Sequence, residues 1–547
     1  MIRRVQKLLV ANRGEIALGV FRACRGLGIA TVAVAAPDDA GSLHARSADE
    51  TIEIASYLDA AEHVRAARES DAEAIHPGYG FLAENADFAE AVRAAGLVWV
   101  GPSPEVLRAA GDKLESKRIA RAAGVPVVPE GDPAEIGFPL LVKAAAGGGG
   151  RGMRVVREPA ELEEARAAAR REAEAAFGDA TVFCERYVER PRHVEVQLLG
   201  DSRGEIVVLG ERDCSIQRRH QKVLEEAPAP ALDRVTRRRI HDAARAFAAA
   251  IGYESAGTAE FMVDGRDFFF LELNGRIQVE HPVTEEVTGR DLVREQLLIA
   301  QGEPAIPEVE PRGHAVEVRL YAEDPRTFLP QTGRIERLRL PSGIRVDAGV
   351  EEGDEVGTAY DPMIAKLIAR GATRDEALER LREALAETEV TGVTTNLPFL
   401  RWLVVHPAVR AGGVTTAFLA EHPPLSRPPA RAARAPWRAA FRLNLPAPPP
   451  APAPDVEAAS HDHAAAGGDS ALTAPMPGTV IRLLVGPGDR VRPRQPLVVL
   501  EAMKMETPVV SPYEAVVRAV HVAEGDRVGG GALLVELEDD ARTASGA

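Results

Sequence analysis

The chain contains 547 residues, of which 45% are hydrophobic and 27% are charged, and its formal net charge at pH 7 is −16. Because a single hydrophobic core stops growing at about 250–300 residues, this length predicts several domains. The acidic balance argues against a general nucleic-acid binder. No run approaches the ~18 apolar residues of a membrane span, so we expect a cytoplasmic protein that binds neither nucleic acid nor a membrane.

Apolar strand patterns alternate with amphipathic helix patterns over the first hundred residues. The strand patterns are "KLLVA" (7–11), "IATVAVAA" (29–36), "AEAIH" (72–76) and "GLVWVG" (96–101), and a helix is predicted from about Glu15 to Gly26. This alternation is typical of a parallel α/β layer. A dinucleotide-binding fold is the alternative, but "ANRGEIA" (11–17) lacks the G-x-G-x-x-G that lets backbone approach a pyrophosphate.

A glycine run follows an apolar strand pattern in "LLVKAAAGGGGRGMRVV" (140–156). Consecutive glycines can turn their amide groups toward one anion, and the adjacent Lys143 and Arg151 add positive charge. The run therefore predicts a mobile lid over nucleotide phosphates. A flexible hairpin loop without a ligand is the alternative interpretation, and the segment lacks the G-K-[ST] of a Walker loop.

Two acidic residues face each other in the predicted hairpin "GTAEFMVDGRDFFFLELNGRIQVEHPV" (257–283). Pairing about the "DGRD" turn brings Glu260 and Glu272 opposite each other within one residue of register, where like charges repel unless a cation lies between them. Asn274 points to the same face as Glu272. These oxygen ligands predict Mg²⁺ or Mn²⁺, with a solvated acidic face as the alternative.

Basic residues concentrate in "ERDCSIQRRHQK" (211–222), although the chain is acidic overall. We expect Arg212, Arg218, Arg219, His220 and Lys222 to bind a small anion beside the nucleotide, because interleaved aromatics for a nucleic acid are missing. Cys214 has no identifiable base and is predicted to be a buried thiol. The chain's three cysteines lie far apart, which supports neither a disulfide framework nor a zinc site.

The composition changes near residue 423 and again near residue 470. Residues 423–470 are rich in proline and alanine and are predicted to be a linker, with one apolar island at 437–445 of unassigned role. Residues 485–501 and 522–538 then repeat each other without gaps, which predicts a small sandwich of two related sheets. "EAMKME" (501–506) lies between the repeats, on a protruding hairpin that displays Lys504.

These segments together resemble the biotin carboxylase branch of the ATP-grasp enzymes. The matching motifs include "ANRGEIA", "HPGYGFLAEN" (76–85), "KAAAGGGGRGMR" (143–154), "RIQVEHPVTE" (276–285) and "AEDP" (322–325), over nearly all of residues 1–420. "EAMKME" resembles the biotinylation site of a biotin carboxyl carrier domain. The resemblance implies an α/β and α+β fold: an ATP-grasp biotin carboxylase with a Rossmann-like N-terminal subdomain, a mobile lid and a C-terminal subdomain, followed by an all-β flattened sandwich of the biotinyl/lipoyl type.

The implied division of the chain is an N-terminal subdomain at 1–112, an ATP-grasp region at 113–320 with its lid at about 130–203, a C-terminal subdomain at 321–422, a linker at 423–470 and a carrier domain at 471–540. The implied cofactors are biotin, bound covalently to Lys504, and ATP with Mg²⁺ or Mn²⁺. The positions that match the family's ATP-binding residues are Lys113, Lys143, Gly147, Gly148, Gly149, Gly150, Glu185, Val188, His193, Gln217 and His220.

The resemblance also implies roles in catalysis. Glu260, Glu272 and Asn274 match the metal positions; Arg276, Gln278 and Val279 match the bicarbonate positions; the matching catalytic residues are Glu280, Arg319, Lys222 and Arg276. Glu280 deprotonates bicarbonate, which attacks the γ-phosphate of ATP, and Arg319 faces the biotin oxygen. Ala146 and Gly275 depart from the family pattern, and we expect these two differences to affect the rate and to leave the reaction unchanged.

The architecture implies three kinds of partner. They are a separate carboxyltransferase β-subunit, a biotin protein ligase and further copies of the chain in a homo-oligomer. The layout resembles the short α-subunits of bacterial acetyl- or propionyl-CoA carboxylases. The alternatives are service to a pyruvate or methylcrotonyl-CoA carboxyltransferase, a different ATP-grasp acyl-phosphate ligase, and a non-catalytic carrier scaffold.

Overall fold

The computed structural model describes residues 4–144, 153–177, 180–218, 221–426, 471–502 and 505–539. The described residues form two compact units. The first lies within residues 1–318, 367–381 and 408–423, and the second within residues 319–366, 382–407 and 424–547. Each compact unit combines separate stretches of the chain, whereas the five predicted segments follow one another in sequence. The five-segment division therefore stays a prediction.

The first unit opens with the predicted parallel α/β layer. Five parallel strands form a sheet of order β3-β2-β1-β4-β5. Leu8, Leu9 and Val10 of the central strand are fully buried, because helices cover both faces of a parallel sheet. The elements are β1 (Lys7–Val10), α1 (Gly14–Leu27), β2 (Ala30–Ala35), α2 (Leu43–Ser47), β3 (Glu50–Glu53), α3 (Ala60–Glu69), β4 (Ala74–His76), α4 (Ala86–Ala94), β5 (Val98–Trp99) and α5 (Pro104–Gly111).

A small lid subdomain follows in the chain. Its antiparallel sheet has the order β7-β6-β8 and packs against helix α8 around a core that includes Leu140, Val142, Ala169 and Cys184. The elements of this segment are α6 (Lys113–Ala122), α7 (Pro133–Ile136), β6 (Leu140–Ala144), β7 (Arg154–Val156), α8 (Leu162–Phe177) and β8 (Val182–Arg186). The glycine run of the predicted lid loop, Gly147 to Gly150, lies outside the described residues.

Most of the rest of the first unit is built on a larger sheet, whose strands include six antiparallel ones in the order β13-β12-β9-β10-β11-β14. Helix α9 buries Ile240, Phe247 and Ala248 against its apolar face, while the other face carries the buried charges of the site. The elements are β9 (Arg192–Gly200), β10 (Ile206–Arg218), β11 (Gln221–Ala227), α9 (Arg234–Ile251), β12 (Ser255–Asp264), β13 (Asp267–Asn274), α10 (His281–Thr288), α11 (Leu292–Ala300) and β14 (His314–Tyr321).

The next segment contributes to both units. Within the second unit, β16 pairs with β20 and β15 with β18, and Trp402 stacks on Phe399 in a buried aromatic cluster. The elements are β15 (Gly333–Arg334), β16 (Arg337–Arg339), β17 (Arg345–Ala348), β18 (Glu355–Val356), β19 (Met363–Gly371), α12 (Arg374–Glu387), β20 (Glu389–Thr391), α13 (Leu397–Val405), α14 (Pro407–Arg410) and α15 (Phe418–Glu421).

The sequence repeat folds into two four-stranded antiparallel sheets, β21-β28-β26-β23 and β25-β24-β22-β27. Gly488 and Gly525 occupy the same place in each copy and share a φ of +92°, a backbone angle that favours glycine. The strands are β21 (Ala471–Thr473), β22 (Gly478–Leu483), β23 (Arg490–Val491), β24 (Pro496–Ala502), β25 (Met505–Val510), β26 (Ala515–Val520), β27 (Arg527–Val528) and β28 (Leu533–Asp539). The predicted flattened sandwich is confirmed.

Ala502 of β24 pairs with Met505 of β25, and the two residues between them, Met503 and Lys504, lie outside the described residues. The same holds for Arg219, for His220 and for 427–470, which is most of the predicted linker. Within the part of the chain that the structure describes, none of the helices has the length and apolar character needed to cross a membrane.

Candidate active site

The hairpin of β12 and β13 brings the predicted pair of acidic residues together. Glu260 is the direct register partner of Glu272. Counting back from the turn would put Leu271 opposite Glu260, but a β-bulge after Phe270 inserts one residue and places Glu272 there instead. Asn274 Nδ2 donates to Glu260 Oε1 at 2.9 Å, so three oxygen-bearing side chains meet on one face of the hairpin.

The two carboxylates have different electrostatic surroundings. Burial acts to raise the pKa of Glu260, but the charges of Lys222 and His193 outweigh it and hold that pKa well below its usual range. Desolvation raises the pKa of Glu272 and the charge of Glu260 raises it further; because the side chain is exposed, we take the repulsion from Glu260 as the firmer cause. A divalent cation would relieve the repulsion at Glu272, and the oxygen donors fit Mg²⁺ or Mn²⁺.

Lys222 lies at the centre of the buried charges. Its Nζ donates to Glu195 Oε2 at 2.5 Å, to Glu260 Oε1 at 2.9 Å and to Glu280 Oε1 at 2.5 Å. Burial alone would lower the pKa of Lys222, but the three carboxylates raise it well above its usual value. The lysine is therefore a fixed positive charge that holds strands β9, β11 and β12 and the start of helix α10 together.

His193 and Gln217 extend this cluster along β9 and β10. His193 Nε2 lies 2.8 Å from Glu260 Oε2, and the Gln217 amide nitrogen lies 2.9 Å from His193 Nδ1. Burial lowers the pKa of His193, yet the charge of Glu260 raises it by more. Because Gln217 occupies Nδ1, Nε2 carries the proton that faces Glu260.

Arg212 corrects one expectation from the sequence. It was predicted to bind a small anion, but its side chain is fully buried and surrounded by protein acceptors. Its guanidinium donates to Glu195 Oε1 at 2.5 Å and to Gln278 Oε1 at 2.9 Å. Three further acceptors lie at 2.7–3.2 Å: Gln197, Thr258 and Thr284. The alternation of strand β10 turns Arg212 inward, and a run of basic letters does not reveal that direction.

The residues predicted to hold bicarbonate follow β13 directly. Gln278 Nε2 donates to Glu260 Oε1 at 2.8 Å while its Oε1 accepts from Arg212, which fixes the orientation of its amide. Arg276 Nη2 donates to Asn274 Oδ1 at 3.0 Å. Val279 adjoins them in the chain, and Glu280, which is 2% exposed, precedes helix α10. The structure thus places the predicted base, Glu280, and the predicted bicarbonate residues Arg276 and Gln278 beside the two acidic residues predicted to bind the metal.

The residues predicted to hold the nucleotide lie where the lid meets helix α6. Lys143 and Lys117 both form ion pairs with Glu185, which is 2% exposed. Lys117 Nζ also donates to Glu130 at 3.1 Å. Sequence reasoning missed Lys117. The neighbouring residues of the predicted set are also in place, since Val188 is buried and Lys113 begins helix α6, from where its charge lowers the pKa of Glu272.

Arg319 belongs to the second unit and is 7% exposed. Its backbone oxygen accepts from Asn396 Nδ2 at 3.0 Å. This contact involves the backbone of Arg319, so the role of its side chain toward biotin stays a prediction. His220, the four lid glycines and Lys504 were also predicted as site residues and lie outside the described residues.

Three family descriptions match the front of the chain and one matches its end. Residues 4–107 match "Biotin carboxylase, N-terminal domain", 102–306 match "Carbamoyl-phosphate synthase L chain, ATP binding domain" and 317–421 match "Biotin carboxylase C-terminal domain". Residues 470–537 match "Biotin-requiring enzyme". The matches cover both the site described above and the repeat that carries "EAMKME".

The chain is similar to one curated relative over almost its whole length and to others over about three quarters of it. It is 44% identical to the biotin-dependent acyl-coenzyme A carboxylase alpha3 subunit of Mycobacterium leprae, over 98% of this chain and 99% of that protein. It is 48% identical to the biotin carboxylase of Halalkalibacterium halodurans, over 76% of this chain and 98% of that protein. A solved structure, the biotin carboxylase domain of Hydrogenobacter thermophilus 2-oxoglutarate carboxylase with MgADP, ADP and bicarbonate, covers 77% of this chain and 98% of its own, with a TM-score of 0.73 and 44% identity.

Proposed function

The chain belongs to the biotin carboxylase family, with a biotin-carrier domain on the same polypeptide, and we propose that it serves as the α-subunit of an acetyl- or propionyl-CoA carboxylase. Its reaction is the ATP-dependent carboxylation of biotin. The observation that carries the residue assignments is the contact of one buried lysine, Lys222, with both Glu260 and Glu280. This contact joins the proposed metal ligand to the proposed base.

Glu280 is the proposed base for bicarbonate. It accepts the proton of bicarbonate, and the freed oxygen forms a bond to the γ-phosphorus of ATP as the bond between that phosphorus and the ADP oxygen breaks. Lys222 remains charged throughout, because its pKa lies well above neutrality, and it offsets the negative charge that grows beside Glu280. The resulting carboxyphosphate breaks down to CO₂ and phosphate.

Arg276, Gln278 and Val279 are proposed to hold bicarbonate for this step. Arg276 supplies a planar cation that suits a carboxylate-like anion, and the Gln278 amide is already oriented by Arg212 and Glu260. Glu260, Glu272 and Asn274 would hold Mg²⁺ or Mn²⁺, which supplies positive charge at the transferring phosphoryl group. Biotin, when attached, would supply the nucleophilic ureido nitrogen; its N–H proton would pass to the phosphate released from carboxyphosphate as the nitrogen bonds to CO₂, and Arg319 is proposed to face the biotin oxygen.

The nucleotide is proposed to lie between the lid and helix α6. Lys113 and Lys143 would contact its phosphates, the lid glycines 147–150 would close over them, and the backbone of Glu185 and Val188 would contact the adenine. Lys143 is paired with Glu185, which holds its ammonium group at this edge of the lid, and the phosphates of ATP would offer it a further anionic partner. His193, Gln217 and His220 complete the proposed ATP set.

Lys504 is the proposed attachment point of biotin, and a biotin protein ligase would modify it. The linker proposed at 423–470 has a root-mean-square reach of about 35–40 Å, which allows the carrier to travel between active sites. A separate carboxyltransferase β-subunit would then accept the carboxyl group, and we propose that the chain self-associates within the complex. The acyl-CoA acceptor is proposed because the similarity to the M. leprae alpha3 subunit extends over both proteins almost end to end.

The test is ADP release by the purified chain in the presence of ATP, Mg²⁺ and bicarbonate, with and without free biotin. We expect ATP cleavage that depends on both bicarbonate and biotin. An equal rate of ATP cleavage with and without biotin would favour a different ATP-grasp ligase and overturn the residue assignments. Co-purification from the native host, followed by assays with acetyl-CoA, propionyl-CoA, methylcrotonyl-CoA and pyruvate, tests the proposed acceptor.

A further inference from the structure

Glu84 contacts the site from a different part of the first unit. It lies in the loop between β4 and α4, at the end of "HPGYGFLAEN". Its Oε1 accepts from the backbone N–H of Gly275 at 3.1 Å, and its Oε2 accepts from Arg276 Nε at 2.9 Å. One carboxylate therefore holds both the backbone and the side chain of the segment that links the metal and bicarbonate positions.

The loop that carries Glu84 is fastened at both ends. Asn12 Nδ2 donates to the backbone oxygens of Pro77 and Tyr79 at 2.8 and 2.7 Å. At the other end, Asn85 caps helix α4 through a hydrogen bond from the backbone N–H of Phe88 at 2.8 Å. Because its neighbours are held by buried or capping contacts, Glu84 extends from a rigid base.

Gly275 is the residue at which the hydrogen bond to Glu84 restrains the backbone before Arg276. Glycine loses more backbone freedom on ordering than any other residue, so fixing the backbone at this junction costs more free energy than it would at another residue. A Cβ at Gly275 would lie 2.9 Å from Leu107 Cδ2 and 3.4 Å from Pro102 Cγ, so the packing around this position favours glycine. The hydrogen bond to Glu84 supplies a restraint that the residue itself does not.

Arg276 depends on Glu84 more than its neighbour Asn274 does. Its other hydrogen bonds are to Asn274 Oδ1 at 3.0 Å and to the Ile277 oxygen at 3.4 Å. Burial acts to lower the pKa of Arg276, and the charge of Glu84 is the largest influence that raises it. Asn274 has a separate anchor, its 2.9 Å hydrogen bond to Glu260, so losing Glu84 would disturb the bicarbonate side more than the metal side.

We propose that Glu84 is a positioning residue that orients Arg276 for bicarbonate by holding both its side chain and the adjoining Gly275 backbone. This inference rests on the proposed function, since it concerns the same site. Glu84 acts through Arg276 and contacts no reacting atom. This role predicts that variants without the Glu84 carboxylate have a higher KM for bicarbonate and a nearly unchanged KM for MgATP.

The experiment compares Glu84→Gln and Glu84→Ala with the wild-type full-length chain in the ADP-release assay with free biotin. Because Glu84 is 45% exposed, the loss of its contacts with Arg276 and Gly275 corresponds to about a threefold to tenfold rise in the KM for bicarbonate. We expect that rise in both variants, with the KM for ATP within about twofold of wild type. Glu84→Gln keeps the size of the side chain, and circular dichroism checks that both variants fold.

Glu62→Gln is the matched control. Glu62 likewise accepts from a backbone N–H, that of Ala55 at 3.1 Å, and from an arginine Nε, that of Arg65 at 3.0 Å, but these two partners belong to helix α3 and the segment before it and not to the proposed site. We expect its kinetic constants to equal those of wild type. A KM for bicarbonate that stays within about twofold of wild type in folded Glu84→Gln would overturn the inference, as would equal shifts in both KM values. Failure of the wild-type chain to cleave ATP with biotin would instead overturn the proposed function.

Discussion

Replacing Arg212 with methionine tests whether the buried charges form one interdependent cluster. Methionine has a similar length and is apolar, so the substitution removes the charge and the hydrogen-bond donors without opening a large cavity. Glu195 would keep Lys222 as its neutralising partner. The amide oxygens of Gln278 and Gln197 would lose a buried donor.

Removing one partner of a buried ion pair costs about 3–5 kcal/mol, because the remaining charge stays desolvated. The lower value applies if Lys222 alone can satisfy Glu195, and the upper value applies if the amide and hydroxyl partners of Arg212 are also left unpaired. In urea this cost lowers the unfolding midpoint by about 1–2 M. Arg212→Lys should recover part of the loss, because an ammonium group restores the charge but not the planar fork.

The assay is urea unfolding followed by the fluorescence of Trp99, which is buried in the first unit. Trp402 and Trp437 are replaced with phenylalanine in every protein compared, so that Trp99 is the remaining tryptophan of the chain's three. Arg65→Met is the control, because Arg65 also pairs with two carboxylates and a backbone oxygen but is exposed on helix α3. We expect no measurable shift for Arg65→Met. Equal midpoints for Arg212→Met and the control would refute the reasoning.

Three further outcomes are expected. Lys504→Arg should abolish avidin capture and spare biotin-dependent ATP cleavage with free biotin, and capture that survives would exclude Lys504 as the attachment point. Glu272→Gln should raise the Mg²⁺ concentration needed for half-maximal ATP cleavage, whereas an unchanged Mg²⁺ titration would remove Glu272 from the metal ligands. Burial acts to raise the pKa of Glu226, but His314 and Arg374 lower it by more, so the folded pKa lies below the ordinary 4.5. The stabilisation that Glu226 provides is therefore present above pH 4.5 and is lost as the pH falls through the folded pKa. In unfolding measurements from neutral to acid pH, the stability deficit of Glu226→Gln should therefore be constant above about pH 5 and shrink below it, and a deficit as large in acid as at neutral pH would contradict the assignment.

The sequence predicted the fold class and the grouping of the site through short-range patterns. Strand and helix periodicity indicated the parallel layer, and the duplicated Gly-Asp-Arg-Val at 488–491 and 525–528 indicated the sandwich. The "DGRD" turn indicated the hairpin that joins Glu260 and Glu272. These features are legible because each depends on residues close in the chain, where spacing determines direction.

Other features of the site depend on contacts between distant segments. The bulge that puts Glu272 opposite Glu260 has no marker in "FFFLELN" (268–274), since it arises from how β13 fits its neighbour. Glu84 and Arg276 are separated by almost two hundred positions, and Lys117 and Glu185 by almost seventy. Motif reading therefore missed Glu84 and Lys117 and misjudged Arg212.

By itself the sequence predicted which chemistry the chain carries: a glycine-rich phosphate loop, paired carboxylates and a displayed lysine, each encoded within a single short segment. Of these, the described residues contain the carboxylate pair. Only the tertiary structure decided how the charges are shared, with Lys222 among three carboxylates and Arg212 turned inward. The physical reason is that the energy of a buried charge depends on every neighbour within a few ångströms, and in this site those neighbours come from strands far apart in the chain.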